Sequence, residues 1–112
     1  MPFVNLSWDV KTTKEKKREL MNFITDTIAD LTSTDKNRIY VFIRDYDEEN
    51  VGSPSCPVVQ IDWVALPART PEVKAEIMRR VQEKIAQYPN VNAERILVLF
   101  SDVPQHNAKI GL

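Results

Sequence analysis

Pro2-Phe3-Val4-Asn5-Leu6-Ser7-Trp8 and Pro57-Val58-Val59-Gln60-Ile61-Asp62-Trp63 are two versions of one pattern, each opening on proline and closing on tryptophan. In the first, Val4, Leu6 and Trp8 fall on one side and Phe3, Asn5 and Ser7 on the other. That is the period of a strand with one face buried. In the second, Val59, Ile61 and Trp63 hold the same places.

The likeness runs on along the chain. Thr12 followed by Glu15 forms a capping-box pattern, and Leu20, Phe23, Ile24, Thr27, Ile28 and Leu31 recur at helical spacing, so a helix is expected over about 13–31. In the second half Thr70 is placed to cap a helix with Pro71 at its first position. Val73, Ile77, Val81 and Ile85 then give an apolar face over 71–87, which Pro89-Asn90 ends. After each helix comes a β-branched, apolar run, read as strands over 39–43 and 96–100. The run Asn37–Asp45 lines up with Glu94–Asp102. Each is followed by an asparagine, Asn50 and Asn107, and then by Gly52 and Gly111, the only glycines of the chain.

Two β-α-β units of about 55 residues, spanning approximately 2–52 and 57–111, are the simplest account. The fold class is therefore α+β, a single domain over 1–112 with a four-stranded mixed sheet and two helices on one face. Within each unit the strands are parallel and the crossover right-handed. Joined about a pseudo-two-fold axis, the first strands of the units lie side by side and antiparallel. Pro2 then comes beside the end of strand 58–64 and the loop that carries Arg69. The uncovered sheet face still bears apolar side chains and is expected to be buried by other subunits.

The bulk numbers narrow the function. A chain of 112 residues has room for one domain with a modest core. With 15 Lys plus Arg against 16 Asp plus Glu, the net charge of −1 gives no pull toward nucleic acid or an anionic membrane. The single cysteine, Cys56, allows no internal disulfide. With only one histidine in the chain, a zinc site of the usual type is not expected. No apolar run reaches the ~20 residues of a membrane span, and the N-terminus becomes charged too early for a signal peptide. The expectation is a soluble cytoplasmic domain.

Met1-Pro2 leading into a strand, a basic residue ahead of each helix (Lys11 and Arg69), and the ending Val103-Pro104-Gln105-His106-Asn107 together resemble the tautomerase superfamily. That group includes 4-oxalocrotonate tautomerase and macrophage migration inhibitory factor. The resemblance covers essentially the whole chain, as a double-length member. It implies a homotrimer and no cofactor or metal. It also implies an N-terminal proline, freed by loss of Met1, acting as general base on a small carboxylate-bearing enol or 2-oxo acid. On that resemblance Pro2 is the catalytic base and Arg69 the carboxylate clamp, with Tyr40 and Asn37 as lesser candidates for the pocket wall.

A secondary amine in an apolar pocket near positive charge is held neutral and basic near neutral pH, and an arginine can grip a carboxylate through two parallel hydrogen bonds. Several departures from the family pattern point away from chemistry that adds water. Asn37 stands where some members carry a carboxylate, Lys109 where others carry an acid, Ile28 where some have histidine, and Tyr40 where the oxalocrotonate enzymes have arginine. Lys11 is read as structural or degenerate, because its partner Pro57 is internal. Cys56, His106, Trp8 and Trp63 are not assigned chemical roles. The competing reading is a tautomerase-fold oligomer with weak or no catalysis that serves in binding.

Overall fold

Each repeat folds as a strand, a helix and a parallel strand, in a computed structural model that describes all of Met1–Leu112. The first comprises β1 (Pro2–Trp8), α1 (Lys14–Thr32) and β2 (Tyr40–Asp45), and the second β3 (Val58–Val64), α2 (Pro71–Ile85) and β4 (Leu97–Val103). The sheet order is β2-β1-β3-β4. β1 and β3 pair antiparallel at its centre, and each pairs parallel with the second strand of its own repeat. This is the arrangement the repeat predicts.

Both helices lie on one face of the sheet. Val4, Leu6, Trp8, Val59, Ile61 and Trp63 point toward them and are buried against Leu20, Ile24, Ile28, Ile77, Val81 and Ile85. The helices begin where side-chain oxygens can take free backbone N–H groups. Thr70 accepts from the Val73 N–H at 3.2 Å, as expected. In α1 the cap is Thr13 rather than Thr12, its hydroxyl accepting from the Lys16 N–H at 3.1 Å. α1 ends at Ser33, whose φ of 53° is left-handed, whereas α2 ends at Ala86 in the right-handed region and the left-handed Asn90, φ 60°, comes later in the turn.

A three-residue set is duplicated with the fold. The Trp63 indole N–H donates to the Asp102 carboxylate at 2.8 Å, and Lys74 from α2 pairs with the same carboxylate at 2.8 Å. In the first repeat Trp8 donates to Asp45 at 2.9 Å, and Lys17 from α1 pairs with Asp45. Each set ties the far end of a strand pair to the helix above it. The hydrogen bonds from Lys74 and then Trp63 hold the Asp102 carboxyl below the usual range. For Asp45, burial pushes upward, and the bonds from Lys17 and Trp8 outweigh it.

β4 runs to Val103, beyond the expected end, because Val64 and Val103 are still in register and the Ala65 N–H donates to the Val103 carbonyl at 3.0 Å. β2 starts one residue late. The preceding 36–38 segment is a tight 3-10 turn closed by the Ile39 N–H on the Lys36 carbonyl.

The other sheet face has nothing over it within the chain. Across its middle run Phe42, Asn5, Gln60 and Leu99, in that register. Phe42 is 54% exposed, Leu97 50% and Tyr40 40%. The Asn5 side-chain oxygen on this face is shielded from solvent and accepts no hydrogen bond. No helix of the chain is long and apolar enough to cross a membrane.

Candidate active site

The antiparallel pairing of the two central strands decides where the start of the chain lies. Pro2 is opposite Trp63, one residue before β3 ends, so the N-terminus meets the 65–70 loop. There a cleft of about 560 Å³ opens, lined by Met1, Thr34, Arg38, Val64, Arg69 and Lys109 among others. Met1 and Arg69 both line this cleft, while the Pro2 side chain is fully buried behind Met1 and does not line it.

Arg69 is only 8% exposed. One terminal nitrogen donates to the Val64 carbonyl at 2.6 Å and the other to the Thr34 hydroxyl at 3.3 Å. Its guanidinium stacks 5.0 Å from the centre of the Trp63 ring. The Thr34 oxygen is 2.7 Å from that of Thr32, which itself donates to the Ile28 carbonyl at 2.6 Å. The Thr32 proton is thus committed, so Thr34 donates to Thr32 and accepts from Arg69. This directed chain anchors the guanidinium to the C-terminal turn of α1. Of its five N–H groups, two have partners within the chain and three do not. Burial pulls the Arg69 pKa down and Asp102 partly offsets this; at so high an ordinary value the group stays charged.

Met1 precedes Pro2 here, so the free amine belongs to Met1 and the Pro2 nitrogen is an amide. That amine reports the electrostatics of the spot. Burial first, then the charges of Arg69 and Arg38, lower its pKa from the ordinary α-amino value. No salt bridge of the chain involves Arg38, Arg69 or Lys109.

Asn37 and Tyr40 are not brought into this cleft. The turn before β2 leaves Asn37 exposed, its backbone N–H capped by the Asp35 carboxylate at 3.3 Å. Tyr40 is opposite Phe3 on the open face of the sheet. The residue of this turn that does line the cleft is Arg38, which the sequence reading did not single out. Its signal was its place: the last residue of the turn that leads into β2, beside the expected end of the first strand.

The pseudo-equivalent end of the sheet carries no such site. The Pro57 nitrogen is in the chain, the Asp9 carboxylate takes the Ser55 N–H at 3.2 Å to each oxygen, and Lys11 is exposed and paired with Asp47 at 3.3 Å. The linker there lines a smaller pocket of about 340 Å³, with Trp8, Asn50 and Cys56 among its walls and no lysine or arginine.

Residues 2–53 match the family model described as "Tautomerase enzyme". No curated protein matches the sequence. Among solved structures, a wild-type fused 4-OT described as an asymmetric trimer superposes with a TM-score of 0.86 at 20% identity, covering 97% of this chain and 92% of that one. A malonate semialdehyde decarboxylase inhibited by 3-bromopropiolate gives 0.78 at 16%, covering 98% and 89%. A macrophage migration inhibitory factor-like protein from Entamoeba histolytica gives 0.82 at 11%, covering 98% and 95%. At these identities the likeness establishes a common fold over the full length.

Proposed function

We propose that this chain is a member of the tautomerase superfamily and moves a proton between oxygen and carbon of a small enol or 2-oxo acid, with the Pro2 amine as base once Met1 is removed. The observation that supports it most is the position of the chain's start: a terminal amine opens into a cleft where burial and two arginines disfavour its protonated form. In this reading a Pro2 amine, one residue along the chain, would meet the same two arginine charges.

In this reading the substrate carboxylate sits on the free N–H groups of Arg69. The neutral Pro2 nitrogen takes the enol hydroxyl proton. The O–H electron pair becomes the carbonyl π bond, the C=C pair moves to carbon, and the ammonium returns the proton there. Arg69 stabilises the enolate charge in between. Ketonisation of phenylenolpyruvate or 2-hydroxymuconate, followed in the ultraviolet on protein whose N-terminus has been fixed by mass spectrometry, tests it. Protein beginning at Pro2 that gives no rate above solvent would sink the enzymatic reading and leave a tautomerase-fold binding protein.

Replacing Arg69 separates clamp from base. Arg69→Gln removes a charged hydrogen-bond pair of about 1.5–3 kcal/mol, so KM should rise roughly ten- to a hundredfold. The pH profile carries a second readout. Activity needs the neutral amine, so it rises as pH passes the amine pKa. Arg69 holds that pKa down, and its removal moves the rising limb to higher pH. A limb that stays put, or moves down, would refute the electrostatic role.

The same reading takes the protein as a homotrimer closed over the open sheet face. Phe42, Leu97 and the unpartnered Asn5 oxygen are what such a contact would cover. Phe42→Asp should convert the assembly to monomers in sedimentation velocity. A wild-type protein already monomeric at tens of micromolar would contradict it.

A further inference from the structure

We propose that the pocket at the linker end of the sheet is a second ligand site, for a small organic cation: a protonated amine carried on an aromatic or branched apolar body. The pocket encloses about 340 Å³, at the small end of the range of ligand sites. Trp8, Tyr46, Val51 and Val58 give it aromatic and apolar walls, and Asp9 is the one charged side chain among its lining residues. The cleft at the other end of the sheet has the reverse balance, with Arg38, Arg69 and Lys109 against Asp35. The two ends of the duplicated fold therefore offer hollows of opposite charge.

Asp9 is held in place without being neutralised. The Ser55 N–H donates to both its oxygens at 3.2 Å, and the Ser55 carbonyl accepts from the Asn92 N–H at 2.8 Å, which ties the linker to the turn before β4. One shared N–H leaves most of a carboxylate's acceptor capacity open. No lysine or arginine of the chain pairs with Asp9. Lys11 flanks its far side but pairs with Asp47, and Lys17 pairs with Asp45. Arg44, opposite Ser7 on the neighbouring strand, is exposed and does not line the pocket. The 45–50 stretch that supplies Tyr46 and Asn50 adds Glu48 and Glu49, neither of them in an ion pair. A half-buried carboxylate with no counter-ion attracts an ammonium, aromatic rings beside it add to that attraction, and both disfavour an anion.

Phenethylamine, phenethyl alcohol and 3-phenylpropionate share a phenyl ring on a two-carbon chain and differ in the end group, which is cationic, neutral and anionic near neutral pH. The chain has two tryptophans, whose indole N–H signals, assigned with Trp8→Phe, report the two ends separately by NMR: Trp8 at this pocket and Trp63 beneath Arg69. The amine should shift the Trp8 signal, leave that of Trp63 in place, and bind about fivefold or more tightly than the alcohol. Phenylpropionate should leave Trp8 unmoved. In Asp9→Asn, whose amide oxygen can still accept from Ser55, the amine and the alcohol should fall within about twofold of each other. Tyr46→Leu leaves the bond between Asp9 and Ser55 untouched and should weaken the amine more than the alcohol. The assignment is overturned by an amine no tighter than the alcohol, by a preference that survives in folded Asp9→Asn, or by an amine that shifts Trp63 alone or neither signal. Ketonisation plays no part in this test, so the second site stands or falls apart from the proton-transfer reading.

Discussion

Protein that keeps a residue attached ahead of Pro2 should ketonise phenylenolpyruvate about 10²- to 10⁴-fold more slowly than protein that begins at Pro2, the usual worth of a positioned general base. An attached residue turns the proline nitrogen into an amide, whose lone pair is delocalised into the carbonyl and takes no proton near neutral pH. The fold gives this comparison its force. With Met1 in place, β1 still pairs from Pro2 to Trp8 with both neighbours, so the extended form keeps the sheet and the cleft. A loss of rate therefore belongs to the nitrogen and not to unfolding, which equal melting temperatures would confirm. Pro2→Ala, processed to a free alanine, keeps a terminal amine and should lose less than the extended form. Equal rates for extended and processed protein would end the proline-base mechanism.

The sheet was legible because its two halves say the same thing twice. Alternation in Pro2–Trp8 and Pro57–Trp63 gave the central strands, and their equivalence forced the antiparallel pairing that sets Pro2 against Trp63. What local pattern missed was set by partners distant in sequence. Ser101-Asp102 falls beyond the expected strand 96–100, yet Asp102 holds the indole of Trp63 and the ammonium of Lys74. Thr12 and Thr13 both offer a hydroxyl, and only the chain path selects Thr13. In the site, Pro2 and Arg69 were candidates by resemblance, and topology supplied only the expectation that the start of β1 lies beside the loop after β3. Asn37 and Tyr40 were candidates by resemblance to the family, and the 3-10 turn instead sends Arg38 to the cleft. Arg69 beside a helix N-terminus reads as electrostatically awkward; its bonds to Val64 and Thr34 supply the compensation, and no sequence spacing reveals them.

Trp63→Ala should cost about 3–5 kcal/mol of stability, measured by urea unfolding, and should disable the site in whatever fraction remains folded. Trp63 is fully buried, packs against Phe100 with ring centres 4.6 Å apart, donates to Asp102, and lies beneath the Arg69 guanidinium at 5.0 Å. It therefore joins the core to the proposed clamp. Its counterpart Trp8 packs on Tyr88 at 5.3 Å and donates to Asp45, at the end of the sheet where the proline is internal. The duplication thus supplies its own control. Trp63→Phe and Trp8→Phe each keep a large ring and remove one hydrogen bond to a partly exposed carboxylate, a loss of about 1 kcal/mol in both. If Trp63 only stabilises the fold, the two variants should share one kcat/KM. If it also seats Arg69, Trp63→Phe alone should raise KM for a carboxylate substrate, because the stack that holds the guanidinium is weakened on that side only. Matching kinetics for the two variants would reduce Trp63 to a core residue and leave Arg69 held by Val64 and Thr34 alone.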